Sequence, residues 1–217
     1  MNNKKRNIII SVLLLFVAII YTALVKTIDV APVGADGTDI GFSTINTLVV
    51  QKIGTNMYLY KITKYLGLIP IVGAGIYALI GLKQLIKRKS LKKVDLELYA
   101  LAGFYIVVAA VYFFFEKFII NYRPILMEGM LEASYPSSHT MITICLCGAS
   151  ILINKQLFDN KFTRVVNVVS VILTIVIVIG RFISGVHWTT DIVGGLLLSL
   201  ALLMCLSTVF KSIKFED

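Results

Sequence analysis

The stretch NIIISVLLLFVAIIYTALV, residues 7–25, decides the class of fold, because its 19 residues carry no formal charge. A helix of about 20 apolar residues crosses the hydrocarbon layer of a bilayer, so this stretch is long enough to span a membrane. Three basic residues precede it, Lys4, Lys5 and Arg6. A signal peptide shares that arrangement, but its apolar region is shorter, so we expect a retained membrane anchor.

Similar apolar runs recur along the rest of the chain. They lie at residues 65–82, 98–115, 140–154, 165–179 and 192–210. The whole chain is 58% hydrophobic and 15% charged, with a mean hydropathy of +0.87, outside the usual range of soluble domains. The sequence therefore predicts an all-α, polytopic membrane helix bundle of about six transmembrane helices, forming a single domain over residues 1–217.

The basic residues predict the orientation of this bundle. Of the 21 Lys and Arg residues, 14 fall on one side of the six runs and 7 on the other. Cytoplasmic loops carry the excess, so both termini should be cytoplasmic in a cell membrane. The net charge of +9 comes from short clusters between apolar runs, not from a continuous basic face. We therefore expect membrane lipids, and no nucleic acid, as partners.

The segment at residues 29–64 mixes Gly, Asp and Thr with apolar residues such as Ile40 and Phe42. This composition predicts an amphipathic stretch that lies along the outer membrane interface. Two interpretations stay open from the sequence. The segment either packs against the mouth of the bundle or controls the access of lipid to it.

Only two histidines occur in the chain, and both lie at predicted outer ends of membrane spans. His139 closes the stretch YPSSH, where a helix is expected to open, and the free amides of a helix N-terminus bind anions. His187 precedes Asp191 by four residues, which places both on one helix face. A carboxylate so placed holds an imidazole in one tautomer, as a nucleophile requires.

Two arginines accompany the histidines. Arg123 precedes Pro124, and Arg181 lies six residues before His187. Fixed guanidinium groups are suited to holding phosphate oxygens. Taken without the arginines, the pair of His187 and Asp191 is also compatible with a structural cap or a proton relay.

These residues fall into three short motifs that resemble those of the type 2 phosphatidic acid phosphatase family of membrane enzymes. The first motif, a Lys ahead of Arg-Pro, is similar to Lys117 with Arg123 and Pro124. The second, Pro-Ser-Gly-His, resembles residues 136–139, and the third resembles residues 180–191. The motifs cover residues 117–191, in the family's order and on one predicted membrane side.

The resemblance implies a mechanism for the site. In it His187 attacks phosphorus to form a phosphohistidine, Asp191 orients the imidazole, and His139 protonates the leaving oxygen. No metal and no cofactor is implied. The substrate phosphate would be held by Lys117, Arg123, Ser137, Ser138 and Arg181.

The chain departs from the family pattern at three positions. Ser138 stands where the family has Gly, and Gly180 stands where it has a Ser that donates to phosphate. Lys117 lies six residues before Arg123, whereas the family's spacing is seven. On a continuous helix this spacing points Lys117 away from Arg123 and puts Glu116 in its place. The chain then has Pro124, which disfavours helical geometry at Arg123, so we expect Lys117 to reach the phosphate still.

The sequence therefore predicts hydrolysis of a lipid phosphate or diphosphate at the outer membrane face. Polyprenyl diphosphate is the favoured substrate, and phosphatidic acid and phosphatidylglycerol phosphate are alternatives. A lipid phosphotransferase would use the same histidine and pass the phosphoryl group to another alcohol. A transport or binding protein would need the cations, but it would not need an oriented imidazole such as His187.

Overall fold

The computed structural model describes residues 3–213, which form eight α-helices and, within that range, no strand. The helices are α1 (Asn3–Thr27), α2 (Ser43–Ile53), α3 (Met57–Leu66), α4 (Leu68–Arg88), α5 (Leu96–Lys117), α6 (Ser138–Leu157), α7 (Lys161–Ile183) and α8 (Thr189–Ile213). The predicted all-α class is confirmed.

Six helical stretches are long and apolar enough to cross a membrane, and each contains one of the six predicted runs. They are α1, the continuous stretch of α3 and α4, and α5 to α8. Their outer faces carry large apolar side chains, among them Ile86, Ile106 and Val165. Exposed faces this apolar suit contact with lipid tails, and the predicted bundle of six spans is confirmed.

Helix α6 forms the centre of the bundle. It packs against α4, α5, α7 and α8, and it is the most buried of the six spans. Met141, Cys145, Ala149 and Ile153 follow one another at four-residue spacing and are fully buried. This spacing puts all four on one helix face, directed into the core. The first turn of α6 is therefore held at a fixed place, and it carries His139.

The segment predicted to be amphipathic forms α2 and α3. Helix α2 packs on α8, and α3 packs on α7, so the segment lies against one end of the bundle. Asn46 joins it to α8, since its amide donates to the Thr190 hydroxyl at 3.0 Å and to the Gly41 carbonyl at 2.8 Å. Of the two interpretations, packing against the bundle is what the structure shows.

Two glycines allow this segment to approach the end of α7 closely. A Cβ on Gly180 would lie 2.5 Å from the Thr63 methyl carbon of α3. Gly185, in the turn after α7, has a φ of +65°, and a Cβ there would lie 1.9 Å from the Gly54 carbonyl oxygen. Only glycine satisfies both the left-handed conformation and the lack of space at residue 185. This turn carries the chain to His187.

Candidate active site

Three parts of the chain converge at one end of the bundle. They are the loop of residues 118–137 between α5 and α6, the first turn of α6, and the turn of residues 184–188 between α7 and α8. The carbonyl of Val186 accepts a hydrogen bond from Arg123 at 3.3 Å, and the Ser137 amide donates to the Asp191 carbonyl at 3.0 Å. Hydrogen bonds to backbone carbonyls thus hold the three predicted motifs together.

His187 lies at the centre of the site, with only 2% of its surface exposed. Its Nε2 is 3.3 Å from Nη1 of Arg123, and its Nδ1 is 3.3 Å from the Ser134 hydroxyl oxygen. An arginine can only donate, so Nε2 is the acceptor and Nδ1 carries the hydrogen. This tautomer leaves the reactive lone pair on the nitrogen that faces the cations.

Asp191 stands behind the imidazole. Its Oδ2 lies 3.6 Å from Nδ1 of His187 and accepts hydrogen bonds from the Ser134 hydroxyl and, at 2.8 Å, from the Trp188 amide. The carboxylate is fully buried. The network fixes both the orientation of the His187 ring and the position of its Nδ1 hydrogen. This is the role that the family resemblance implies for Asp191.

The surroundings of His187 also set its charge. Burial lowers the pKa of the His187 imidazole well below its usual range, and the charges of Arg123, Arg181 and His139 lower it further. The ring is therefore neutral at neutral pH. A neutral imidazole has the lone pair that a nucleophile needs.

Arg181 is fully buried, and none of its three guanidinium nitrogens has a hydrogen-bond partner within residues 3–213. Its guanidinium carbon lies 4.6 Å from the centre of the Tyr60 ring, and that of Arg123 lies 5.9 Å from the same ring. A buried, unpaired cation is costly, and an anionic ligand would relieve that cost. The two guanidinium groups form the cationic part of the site.

Arg123 has a second partner in its own loop. Its Nε lies 3.0 Å from Oε2 of Glu132, whose side chain is 42% exposed. The Arg123 amide also donates to the Glu132 carbonyl at 3.1 Å. Glu132 thus orients Arg123 from the solvent side while Arg123 faces His187 from the inside.

The second motif opens α6, which begins at Ser138 with Ser137 as its N-cap residue. Ser137 is fully buried, and its hydroxyl accepts from Thr140 at 3.0 Å, so it does not cap the amides of the first turn. Those amides give the site a partial positive charge. His139, two residues after Ser137, has a buried Nδ1 with no hydrogen-bond partner in the described chain.

Lys117 differs from the buried residues of the site because its side chain is exposed. It lies in the last turn of α5, and this side chain makes no hydrogen bond or ion pair with any residue from 3 to 213. Its neighbour Glu116 lines a small pocket together with Ser138 and Tyr135. The structure brings the other seven predicted residues together at one end of the bundle, and it places Glu116 beside them.

Sequence reasoning missed two residues of the site. Ser134 bridges His187 and Asp191, and Tyr60 of α3 lies against both guanidinium groups. Ser134 lies just ahead of the second motif, but no spacing rule connects it to Asp191. Tyr60 lies far from the motifs in sequence, and only the packing of α3 on α7 brings it to the site.

No group of three or more His, Cys, Asp or Glu side chains that could hold a metal ion occurs in the described part of the chain. The cations around His187 are Arg123 and Arg181. Independence from metal stays a prediction of the sequence.

The fold and the site define a helical membrane protein with a buried His-Asp pair that faces two arginines. The pattern of the PAP2 superfamily matches residues 98–214, more than half of the chain, and the chain belongs to this superfamily. The predicted family resemblance is confirmed.

Two relatives extend the comparison. Phosphatidylglycerophosphatase B of Bacillus subtilis strain 168 is 28% identical over 101 residues, which cover 46% of this chain and 49% of the relative. The chain thus aligns with about half the length of that relative. A solved structure, described as the first transmembrane PAP2 type phosphatidylglycerolphosphate phosphatase from Bacillus subtilis, is similar over 95% of this chain and 96% of its own, with 20% identity and a TM-score of 0.59. At that identity the likeness shows the fold alone.

Proposed function

We propose that this protein hydrolyses a lipid phosphate or diphosphate at the extracytoplasmic face of the cell membrane, through a phosphohistidine on His187. One observation carries the proposal. Nε2 of His187 faces Arg123 at 3.3 Å, while Ser134 and Asp191 hold Nδ1 from behind. An anion-binding protein needs the arginine, but it has no use for an imidazole held in one tautomer.

The reaction follows from this geometry. The lone pair of His187 Nε2 attacks phosphorus, the bond from phosphorus to the leaving oxygen breaks, and that oxygen takes the electron pair. His139 supplies a proton to the leaving oxygen when the leaving group is an alcohol. Water then attacks the phosphohistidine and gives up a proton to His139, the bond from phosphorus to Nε2 breaks with the electron pair returning to nitrogen, phosphate leaves, and His187 is neutral again.

The cations serve the transferred phosphoryl group. Arg123, which donates to Nε2 in the free protein, turns its N–H groups to the phosphoryl oxygens when substrate binds, and Arg181 offers three unpaired nitrogens. The first-turn amides near Ser137 and Ser138 add further donors, and the free Lys117 side chain closes over the group from outside. Charge neutralisation of this kind is the main demand of phosphoryl transfer.

Two lipids are the leading substrates. Polyprenyl diphosphate is the first, because a cell-wall carrier is released outside the membrane in this form and must lose a phosphate there. Phosphatidylglycerol phosphate is the second, since a relative of this chain is named phosphatidylglycerophosphatase B. Both present a terminal phosphoryl group at the end of a lipid headgroup, held by an anhydride bond in polyprenyl diphosphate and by a monoester bond in phosphatidylglycerol phosphate. Both also leave an apolar tail in the bilayer.

The test is release of inorganic phosphate by purified protein from these two lipids and phosphatidic acid, in detergent and with a metal chelator present. We expect release without added metal, and we expect His187→Ala to lose at least about a hundredfold in kcat, as removal of a covalent catalyst does. Vanadate should still bind the variant, because both arginines remain.

Three results would contradict the proposal. Phosphate binding without release would indicate a binding or transport protein. Transfer to an added alcohol with no release into water would indicate a phosphotransferase. Activity of His187→Ala above about a hundredth of the wild type would exclude this histidine as the nucleophile.

A further inference from the structure

A cleft of about 140 Å³ borders His139, and no residue of the loop that carries Arg123 lines it. Its polar end is formed by Lys64, Ser138 and His139, and we call it the His139 cleft. The rest of the wall is largely apolar and is contributed by α4, α5 and α6: Leu68, Ile71, Tyr112 and Ile142. A lysine thus stands at the polar end of a cleft whose other walls suit a lipid tail.

The position of Lys64 is fixed by its helix. Lys64 follows Thr63, whose methyl group occupies the space beside Gly180, and lies one helical turn after Tyr60, the ring that contacts Arg181. At the junction of α3 and α4, a Cβ on Gly67 would lie only 3.1 Å from Cδ2 of His139. The end of α3 is therefore packed directly on the active site, on the side of His139.

The direction of the leaving group follows from the apolar walls. In any lipid phosphate the leaving group carries the lipid tail, while the transferred phosphoryl group carries none. The tail needs apolar surroundings, and the His139 cleft provides them beside His139. The leaving oxygen therefore lies toward His139 and Lys64, whereas the transferred group lies toward His187 and the two arginines.

We propose that Lys64 binds the phosphate that leaves with the lipid, so that the site favours lipid diphosphates over lipid monophosphates. The proposal rests on the proposed function and names the class of substrate within it. Lys64 stays exposed at the surface of α3, so its long side chain is free to reach a headgroup in the cleft.

The chemistry differs between the two classes of substrate. With a diphosphate, the bond from the terminal phosphorus to the bridging oxygen breaks, and the leaving lipid monophosphate takes the electron pair as negative charge. An ammonium group beside that charge stabilises the transition state. With a monophosphate, the leaving group is an alcohol that takes its proton from His139, and Lys64 then has no additional charge to neutralise.

The test compares two substrates with the same tail, geranylgeranyl diphosphate and geranylgeranyl monophosphate, on purified protein. We expect Lys64→Gln to lower kcat/KM for the diphosphate by about tenfold or more and to change that for the monophosphate by less than about threefold. Lys64→Arg should keep most of the preference for the diphosphate over the monophosphate. Lys61→Gln is the matched control, since Lys61 is an exposed lysine of α3 that does not line the cleft.

Two outcomes overturn the assignment while the proposed function stands. One is an equal loss on both substrates, which would make Lys64 a general phosphate ligand, and the other is no loss on either. If the wild-type protein releases phosphate from neither substrate nor from any lipid of the panel, the proposed function fails and the role of Lys64 fails with it.

Discussion

At the scale of single residues, the two ring nitrogens of His187 face different surroundings. Nε2 faces a permanent cation, whereas Nδ1 faces the buried network of Ser134 and Asp191. Burial and the arginines together hold the pKa of His187 below its usual range. Because a depressed pKa keeps the ring neutral at lower pH, the nucleophile stays available in mildly acidic solution.

This charge state predicts the pH profile. When the pH is lowered through the ordinary histidine pKa of about 6.5, protonation of His187 should not lower kcat/KM of the wild-type protein. In Arg123→Gln the acidic limb should move to higher pH, since one of the cations that depress the pKa of His187 is gone. Titration of the substrate phosphate affects both pH profiles equally, so the difference between the two profiles comes from groups of the enzyme. Identical limbs would contradict the assignment of His187 as the titrating base.

Ser134 should act through His187 and not on the substrate. Its hydroxyl contacts both Nδ1 of His187 and Oδ2 of Asp191, so Ser134→Ala leaves both buried groups short of a partner. A buried unmet hydrogen bond costs about 1–3 kcal/mol, and we expect kcat to fall by about tenfold or more with little change in KM. Steady-state kinetics on one lipid substrate measure both parameters.

A matched serine serves as control for Ser134. Ser199 is also fully buried in the described structure, but its hydroxyl donates to the backbone carbonyls of Gly195 and Met141. Ser199→Ala should leave kcat near the wild-type value. If both serine variants lose activity equally, the effect belongs to packing of the bundle and not to the nucleophile.

At the scale of elements, the contact between α3 and α7 explains why Gly180 departs from the family motif. A serine there would bring its Cβ within 2.5 Å of the Thr63 methyl carbon. Gly180→Ser should therefore destabilise the protein by about 1–3 kcal/mol, as overpacking does, and lower activity although it restores the motif. Thermal unfolding in detergent and phosphate release measure the two effects.

A second substitution on α3 tests this explanation. Thr63→Ser removes the methyl group and keeps the hydroxyl, which donates to the carbonyls of Leu59 and Tyr60. In the double variant Gly180→Ser with Thr63→Ser, both stability and activity should recover toward the wild type. If the double variant is no more stable and no more active than Gly180→Ser alone, the Thr63 methyl group is not the source of the clash.

The end of α5 decides the role of the first motif. Lys117 has no partner within the described chain, and Glu116 faces the pocket shared with Ser138. We expect Lys117→Ala to lower kcat/KM by about tenfold, or about 1.4 kcal/mol, because the proposed mechanism places this exposed lysine over the phosphate. Glu116→Ala should leave kcat/KM unchanged or raise it, since a carboxylate repels phosphate. The reverse pattern would leave Arg123 as the working member of this motif.

The sequence predicted the six spans because a bilayer imposes length and apolarity on each span separately. It predicted the motif residues because their short spacings are read along one helix or loop. It did not predict Ser134 or Tyr60 as parts of the site, or Lys64 beside it, since each is brought there by packing between distant elements. The fit of Thr63 against Gly180 likewise has no signal in either local sequence.

At the scale of the whole molecule, the spans sort the connecting segments into two sets. The loop of residues 118–137, the turn of residues 184–188 and the segment with α2 and α3 contact one another at the end that holds the site. The connections from α4 to α5 and from α6 to α7 lie at the opposite ends of their helices. Within residues 3–213 the side of the site holds 7 of the 20 Lys and Arg residues, and the other side holds 13, while Lys214 lies outside the described residues.

The excess of positive charge predicts that the site faces outward, and thiol labelling in intact cells tests this. In a background lacking Cys145, Cys147 and Cys205, a cysteine at Met130 would report on the loop of the site, where Met130 is 63% exposed. A cysteine at Asp159, whose side chain is 65% exposed, would report on the opposite side and leave every Lys and Arg in place. Acidic residues contribute little to orientation, so this change should not turn the protein over.

An impermeant thiol reagent should label Met130→Cys in intact cells, whereas Asp159→Cys should react only after the membrane is opened. The inverse pattern would place the site in the cytoplasm, where a lipid released on the outer face does not reach it. Phosphatidylglycerol phosphate would then be favoured over polyprenyl diphosphate, because the outward-facing recycling of a cell-wall carrier needs its phosphatase outside. The orientation of the bundle thus decides which of the two lipids the buried histidine meets.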